Sequence, residues 1–211
     1  MNPTLILASA SPRRRELLAQ AGYLFEVQPS TVEELRRSGE DAIRFATRLA
    51  REKAEQVAQQ VLALRPPSAQ PPLVLGADTV VVCDGEILGK PADAADATRM
   101  LLLLSGRTHS VVTGVAVVGG SQVVELAAEV THVTVRTLSP AEIAEYVATG
   151  EPMDKAGAYA IQGYAARWIP RISGCYFNVV GLPLALVESL LEGVKSRLAN
   201  QIVPAKSLSL G

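Results

Sequence analysis

A strongly apolar run, Leu73–Cys83, is the feature of this chain that most constrains its fold. Such a run predicts a buried strand, and the Asp84-Gly85 pair directly after it is a strong signal for a hairpin turn. Asp78 interrupts the run, and a carboxylate in apolar surroundings is costly unless it is paired, hydrogen-bonded or bound to a metal. We therefore expect a buried strand that carries a functional acid. The alternative is a structural aspartate at a bulge beside Gly76.

Helices and further strands are mixed along the rest of the chain. Helices are predicted, from apolar periodicity and end signals, at 12–21, 41–64, 93–104, 139–150 and 182–191. Further strands are predicted at 4–8, 25–27, 111–112, 115–118, 122–126 and 130–135. Because both crossovers and hairpin-linked strands occur, the pattern indicates an α/β fold with a mixed sheet and not a regular doubly wound one. The proline-rich stretch 65–72 is predicted to be an exposed connector within the fold.

Composition excludes several classes of protein. The chain has 211 residues, of which 48% are hydrophobic, so it can bury a sizeable core, and its formal net charge of −1 argues against a general nucleic-acid binder. Two cysteines and two histidines give neither a disulfide framework nor zinc-ligand spacing. No P-loop, GxGxxG or GxSxG motif occurs. No signal peptide or apolar run of roughly 18 residues is present, so we expect a cytoplasmic protein that does not bind membranes.

A basic helix start follows the first predicted strand. Ser11 suits the N-cap position and Pro12 the first helical position, so Arg13, Arg14 and Arg15 fall on the first turn. The free N–H groups and partial positive charge of a helix start attract anions, and phosphates are the obvious candidate. A solvated basic turn on an ordinary helix is the alternative.

Three other segments carry candidate functional residues. Lys53 lies on the apolar face of the long helix, where it either snorkels from the edge of the face or points into a cleft. Lys90 is held between Gly89 and Pro91, which suits phosphate contact but is also common in plain loops. The stretch 150–163 combines three glycines with charged and amide side chains and is predicted to be a binding loop.

Six motifs occur together in one order along the chain. They are Ser9-x-Ser11-Pro12-Arg13-Arg14-x-Glu16-Leu17-Leu18, Gly76-Ala77-Asp78-Thr79-Val80-Val81, Lys90-Pro91, Leu104-Ser105-Gly106-x-x-His109, Asp154-Lys155-Ala156-Gly157-x-Tyr159-x-Ile161-Gln162-Gly163 and Asn178-Val179-x-Gly181-Leu182-Pro183. In this order they resemble the Maf family of nucleoside triphosphate pyrophosphatases, also called septum-formation-inhibitor proteins. The resemblance covers roughly residues 4–192.

The resemblance implies a fold, a reaction and several residue roles. The implied fold resembles that of inosine-triphosphate pyrophosphatases: a long curved mixed β-sheet with flanking helices and two lobes around a cleft. The implied reaction is metal-dependent hydrolysis of a nucleoside triphosphate to monophosphate and pyrophosphate, and family members commonly form homodimers. Asp78 matches the family's proton acceptor. Arg13, Thr79 and Gln162 match positions that set base preference, in the combination of the branch acting on dTTP and UTP.

Other active-site positions of the family match Glu34, Lys53 and Lys90. The residue chemistry and the resemblance together predict a division of labour. Substrate would be bound by Ser11, Arg13, Arg14, Thr79 and Gln162. Glu34 and Asp78 would hold Mg²⁺ or Mn²⁺, Asp78 would orient or deprotonate the attacking water, and Lys53 and Lys90 would neutralise charge on the departing pyrophosphate. Because one carboxylate cannot freely hold the metal and activate the water, the exact role of Asp78 is left open by the sequence.

The predicted organisation is one domain over residues 1–194, followed by a flexible tail over 195–211. The predicted role is removal of unwanted or modified nucleotides before polymerases use them. A non-catalytic nucleotide-binding regulator of cell division is the alternative function. Such a regulator would keep the arginines but could dispense with Asp78 and the metal.

Overall fold

A computed structural model describes residues 4–66, 71–120 and 123–202. Its strands are β1 (Leu5–Leu7), β2 (Phe25–Val27), β3 (Leu73–Cys83), β4 (Glu86–Leu88), β5 (Thr108–Gly119), β6 (Val123–Thr134) and β7 (Arg171–Ser173). Its α-helices are α1 (Pro12–Gln20), α2 (Ala42–Leu64), α3 (Ala94–Leu104), α4 (Pro140–Ala148), α5 (Tyr176–Val180) and α6 (Leu184–Ile202). Short 3₁₀ helices form at Glu151–Asp154, Ala156–Ala158 and Tyr164–Trp168.

The strands form one mixed sheet in the order β2-β1-β3-β5-β6-β7, with β4 paired to β3. β1 runs parallel to β2 and β3, whereas the pairs β3–β5, β5–β6 and β6–β7 are antiparallel. Asp84 and Gly85 both adopt positive φ, of 49° and 81°, in the tight turn between β3 and β4, as a type I′ hairpin requires. The predicted α/β fold with a mixed sheet and flanking helices is confirmed.

The predicted extents of three elements, β5, β6 and α6, are wrong. β5 and β6 are each one continuous strand where two were predicted, because antiparallel pairing carries the backbone through the weakly apolar middle of each: Gly114 pairs with Asp78 on one side and with Ala128 on the other. The final helix was predicted to end at Leu191, but α6 continues to Ile202. Leu198 on the added turns packs against a buried cluster, so tertiary contact extends the helix beyond its apolar run.

Two of the predicted segments are described only in part. The connector 65–72 includes residues 67–70, and the tail 195–211 includes residues 203–211; both of these stretches lie outside the described residues. The domain boundary at residue 194 stays a prediction.

Helix α2 lies unusually close to the sheet at two glycines. A Cβ added to Gly76 on β3 would be 2.1 Å from the carbonyl oxygen of Ala50, and one added to Gly114 on β5 would be 2.4 Å from the carbonyl of Ala46. Backbone thus contacts backbone, as only glycine permits. Lys53, one turn beyond Ala50, is consequently carried to the face of the sheet at β3.

The long strands β3, β5 and β6 join two lobes. One lobe packs α1 and α6 around buried residues such as Leu7, Leu75 and Val187. The other packs α3, α4 and the 3₁₀ helices around residues such as Leu101, Tyr146 and Trp168. A cleft of about 770 Å³ opens between them, lined by segments from β1 to α5. Among the residues described, no helix has the length and apolarity that crossing a membrane requires.

Candidate active site

Lys53, Asp78 and Glu34 form a charged cluster at the floor of the cleft. The Lys53 ammonium Nζ lies 2.6 Å from Asp78 Oδ1 and 2.6 Å from Glu34 Oε1. The Lys53 and Asp78 side chains are 9% and 8% exposed, whereas that of Glu34 is 46% exposed. Lys53 therefore points into the cleft from α2, and one buried cation bridges two carboxylates from separate segments of the chain.

The two carboxylates of this cluster differ in acidity. Burial raises the pKa of Asp78 above its ordinary value, although Lys53 and Arg14 act in the opposite direction. Burial also opposes ionisation of Glu34, but the hydrogen bond and charge of Lys53, with the charges of Lys90 and Arg14, outweigh it and lower the pKa of Glu34. Asp78 is thus the stronger base of the pair, which suits it to accept a proton.

Cationic side chains occupy the rim of the cleft. Lys90 Nζ is 3.7 Å from Glu34 Oε2, and Arg13 Nη1 is 3.4 Å from Asp154 Oδ2. Lys155 donates to Asp154 and to the carbonyl oxygen of Glu151. Five cationic and three acidic side chains line the cleft in the described structure: Arg13, Arg14, Lys53, Lys90 and Lys155, with Glu34, Asp78 and Asp154. The surplus of positive charge favours an anionic ligand.

Almost all the N–H groups of Arg14 donate hydrogen bonds to other residues of the protein. Its guanidinium donates to the main-chain oxygens of Gly181 and Ala77, each at 2.9 Å, to Ser9 Oγ at 3.1 Å and to Thr79 Oγ1 at 3.0 Å. Burial lowers the pKa of Arg14, yet an arginine remains protonated in proteins. Four of its five N–H groups are thereby used to join three segments, which leaves one N–H group for a ligand.

The remaining predicted substrate ligands also line the cleft. Ser11 is the N-cap residue of α1, but its side chain makes no capping hydrogen bond among the described residues. Thr79 is half-buried on β3 beside Asp78, and Gln162 is exposed in the loop before the third 3₁₀ helix. All the predicted site residues are therefore brought to one cleft; their individual roles stay predictions. Arg15, by contrast, is exposed and does not belong to the cleft lining.

Several residues around the site were not given roles from the sequence. Lys155 and Tyr159 line the cleft within the stretch 150–163, and their position in a polar, glycine-rich loop was the available signal. Asn178 is fully buried and donates to the Val111 carbonyl and to Thr131 Oγ1. It therefore anchors α5 to the sheet. Nothing in the local sequence distinguishes Thr113, which hydrogen-bonds Thr79 from the neighbouring strand.

The carboxylates at the cleft floor fit a divalent metal ion. Glu34 Oε1 and Asp78 Oδ1 each lie 2.6 Å from Lys53 Nζ. The distance between these two oxygen atoms is therefore at most twice that value. Within the described ranges no group of three or more His, Cys, Asp or Glu side chains is arranged to hold a metal. Mg²⁺ is commonly bound by one or two carboxylates and by the phosphates of a substrate, and this pair suits such a site.

Together, the fold and the cleft define a mixed α/β protein whose central site combines a buried lysine–carboxylate cluster with a cationic rim. The chain matches the family model described as "Maf-like protein" over residues 4–194, and it belongs to that family.

Relatives of known name span nearly the whole chain. The dTTP/UTP pyrophosphatase of Koribacter versatilis is 53% identical over 189 residues, which cover 89% of this chain and 93% of the relative. The dTTP/UTP pyrophosphatase of Salmonella typhimurium is 52% identical over 189 residues, covering 90% and 92%. Among solved structures, a HAM1 protein from Coxiella burnetii matches with a TM-score of 0.42 at 16% identity, over 64% of this chain and 73% of that one.

Proposed function

We propose that this protein hydrolyses nucleoside triphosphates, dTTP and UTP foremost, to nucleoside monophosphate and pyrophosphate. The names of relatives more than 50% identical over most of the chain support this reaction. The observation that carries it is the Lys53 ammonium held between Asp78 and Glu34 beneath a cationic rim. A buried base beside an anion-binding surface is what attack of water on a phosphate requires.

Asp78 acts as the general base in this proposal. Lys53 occupies its Oδ1 atom, so Oδ2 is the atom that takes a proton from the attacking water. The water oxygen then bonds to the α-phosphorus, the bond from that phosphorus to the oxygen bridging to the β-phosphorus breaks, and pyrophosphate leaves. The raised pKa of Asp78 helps, because a base is most effective when its pKa approaches the working pH.

The cationic side chains hold the triphosphate. Arg13 at the start of α1 presents a planar guanidinium and is only loosely paired with Asp154, at 3.4 Å, so a phosphate can replace the carboxylate. Lys90 and Lys155 also line the cleft and offset negative charge on the departing pyrophosphate. Arg14 contributes its remaining N–H and holds Thr79 in place. Gln162, whose amide carries a donor NH₂ group and an acceptor oxygen, pairs with the base.

A divalent cation, Mg²⁺ or Mn²⁺, completes the site. Glu34 would hold it, together with oxygens of the triphosphate, and Asp78 would share it through one carboxylate oxygen, which leaves the other oxygen to accept the proton. When bound, such an ion supplies charge neutralisation for the phosphates and lowers the pKa of a coordinated water. The lowered pKa of Glu34 keeps this carboxylate ionised and ready to act as a ligand.

The cellular role that fits this reaction is removal of unwanted or modified nucleotides. We place it in the cytoplasm, where nucleoside triphosphates are drawn on by polymerases, and we expect the protein to act as a homodimer. Arg13 and Arg14 at the α1 start face a cleft, and the formal net charge of the chain is −1, which supports a nucleotide over a nucleic acid as partner.

The proposal is tested by following UTP hydrolysis with Mg²⁺ or Mn²⁺ in wild type and in Asp78→Asn. The wild type should release equal amounts of UMP and pyrophosphate, and Asp78→Asn should be slower by about 10²- to 10⁴-fold because the base is lost. Asp84→Asn makes the same chemical change in the exposed β3–β4 turn and should keep the wild-type rate. Orthophosphate as the first product, or no turnover in the wild type, would refute the proposal; binding without turnover would favour a regulator.

A further inference from the structure

The hydroxyl group of Thr79 belongs to a chain of hydrogen bonds that leads away from the cleft. Arg14 Nη2 donates to Thr79 Oγ1 at 3.0 Å, and Thr79 Oγ1 lies 2.9 Å from Thr113 Oγ1 on the neighbouring strand β5. Thr113 Oγ1 in turn lies 3.3 Å from the main-chain oxygen of Asn178. Thr113 and Asn178 are fully buried, whereas Thr79 is half-buried and lines the cleft.

The direction of this chain is fixed at both ends. A guanidinium can only donate, so Arg14 makes Thr79 an acceptor. At the other end, the N–H groups of Gly181 and Leu182 both donate to the Phe177 carbonyl, and residue 183 is a proline without an N–H group. Among the described residues, the hydroxyl proton of Thr113 is therefore the donor on which the buried Asn178 carbonyl depends, since an unpaired buried carbonyl is costly.

The orientation of the Thr79 hydroxyl follows from this. Because the Thr113 proton goes to Asn178, the contact of 2.9 Å between the two threonines must be made by the Thr79 proton. A hydroxyl has one proton and two lone pairs, and Arg14 takes one of those lone pairs. Thr79 can thus offer a substrate only its second lone pair.

We infer that Thr113 is a positioning residue for substrate selection: it holds the Thr79 hydroxyl as an acceptor, so that the cleft selects a nucleoside that presents a hydrogen-bond donor. This inference rests on the proposed function. A triphosphate at neutral pH presents acceptors only, so the donor belongs to the nucleoside. dTTP and UTP share two such donors, the N3–H of the base and the 3′-hydroxyl of the sugar. Cytosine, in contrast, presents a lone pair at N3, which an acceptor repels, and carries its base donor at the 4-amino group, where uracil and thymine carry an acceptor.

The first test compares Thr113→Val with Thr113→Ser. Valine has the shape of threonine but accepts no hydrogen bond, so the Thr79 proton is freed to donate into the cleft. The ratio of kcat/KM for UTP to that for CTP should fall by about tenfold, the worth of one hydrogen bond, if the donor is N3–H. If the donor is the sugar hydroxyl, the ratio of kcat/KM for UTP to that for 3′-deoxy-UTP should fall instead. Thr113→Ser keeps the hydroxyl and should keep both wild-type preferences.

The second test uses the wild type and so does not depend on how the variants fold. N3-methyl-UTP and 3′-deoxy-UTP each remove one donor, and one of them should lower kcat/KM by about tenfold or more relative to UTP. If neither does, or if a folded Thr113→Val keeps both wild-type preferences, the inference is overturned while the proposed function stands. A wild type that does not hydrolyse UTP overturns the proposed function and this inference with it.

Discussion

Single residues determine how charge is distributed at the cleft floor. Lys53 is the residue whose orientation the sequence left open, between the edge of the apolar face and a cleft. The structure resolves the ambiguity through packing: glycines beneath α2 bring the helix so close to the sheet that Lys53 reaches Asp78 at 2.6 Å. A buried ammonium needs such partners, because an uncompensated buried charge is strongly destabilising.

His109, another buried titratable residue, makes the stability of the protein depend on pH. Its Nε2 lies 2.7 Å from Tyr159 Oη, and burial lowers its pKa from 6.5 to about 4. Unfolded His109 therefore takes up a proton near pH 6.5, whereas folded His109 does so only near pH 4. Since the unfolded state binds more protons in this window, the free energy of unfolding falls as pH falls through it.

This effect can be measured by urea unfolding at pH 7 and pH 5. His109 should account for a loss of about 2 kcal/mol of unfolding free energy between these two pH values, and the loss should be absent in His109→Gln. His132→Gln changes an exposed histidine and should retain the wild-type dependence. An equally steep decline in His109→Gln would show that other groups cause it.

At the scale of secondary-structure elements, the approach of α2 to the sheet is the contact that builds the site. Gly114→Ala should lower the free energy of unfolding by about 3 kcal/mol, because the added methyl group would meet the Ala46 carbonyl at 2.4 Å and the backbone must move. The same movement draws Lys53 away from Asp78, so kcat/KM for UTP should fall as well.

Urea denaturation gives the stability of this variant, and Gly89→Ala is its matched control. No described heavy atom lies within 4 Å of a Cβ added to Gly89, so this change should leave the unfolding free energy within about 0.5 kcal/mol of wild type. If Gly114→Ala were as stable as Gly89→Ala, the close packing of α2 could not be what positions Lys53.

Elements with their own local signal were predictable, and elements made by tertiary pairing were not. The structure contains the apolar face of α2, which repeats every 3.6 residues, and the capping box at Ser139. Both features are defined by residues close together in sequence, so a local pattern is enough to predict them. The middle of β5, around Gly114, has poor strand propensity and is extended because it pairs on both sides. β7 and the short 3₁₀ helices depend likewise on contacts that a local pattern does not contain.

At the scale of the whole molecule, positive charge is concentrated in the cleft although the chain as a whole is nearly neutral. The net charge is −1, yet cationic side chains outnumber acidic ones in the cleft lining. Its residues come from segments as distant in sequence as Arg13 and Gln162, so spacing alone could not place them together. The order of the motifs allowed the cleft residues to be predicted as a group. The motifs did not indicate the hydrogen bond between Thr79 and Thr113, or that Arg14 donates most of its hydrogen bonds to the protein itself.

Because both lobes line the cleft, a bound nucleotide should stabilise the entire fold. A dTTP analogue with a methylene bridge between the α- and β-phosphorus atoms cannot be hydrolysed there. With Mg²⁺, and at 100 times its dissociation constant, it should add about 2.7 kcal/mol of unfolding free energy. For a chain of 211 residues this raises the midpoint of thermal unfolding by about 5–10 °C.

Removal of the metal should reduce this shift. With EDTA in place of Mg²⁺, Glu34 and Asp78 face the triphosphate with only the Lys53 ammonium between them, so part of their negative charge is uncompensated, and like charges at short range repel. Calorimetry with analogue and Mg²⁺, with analogue and EDTA, and with Mg²⁺ alone separates these contributions. An equal shift in EDTA would mean that the two carboxylates hold no metal in the complex. No shift under any condition would mean that the nucleotide does not bind the folded protein, because a ligand that binds only the folded state raises the free energy of unfolding.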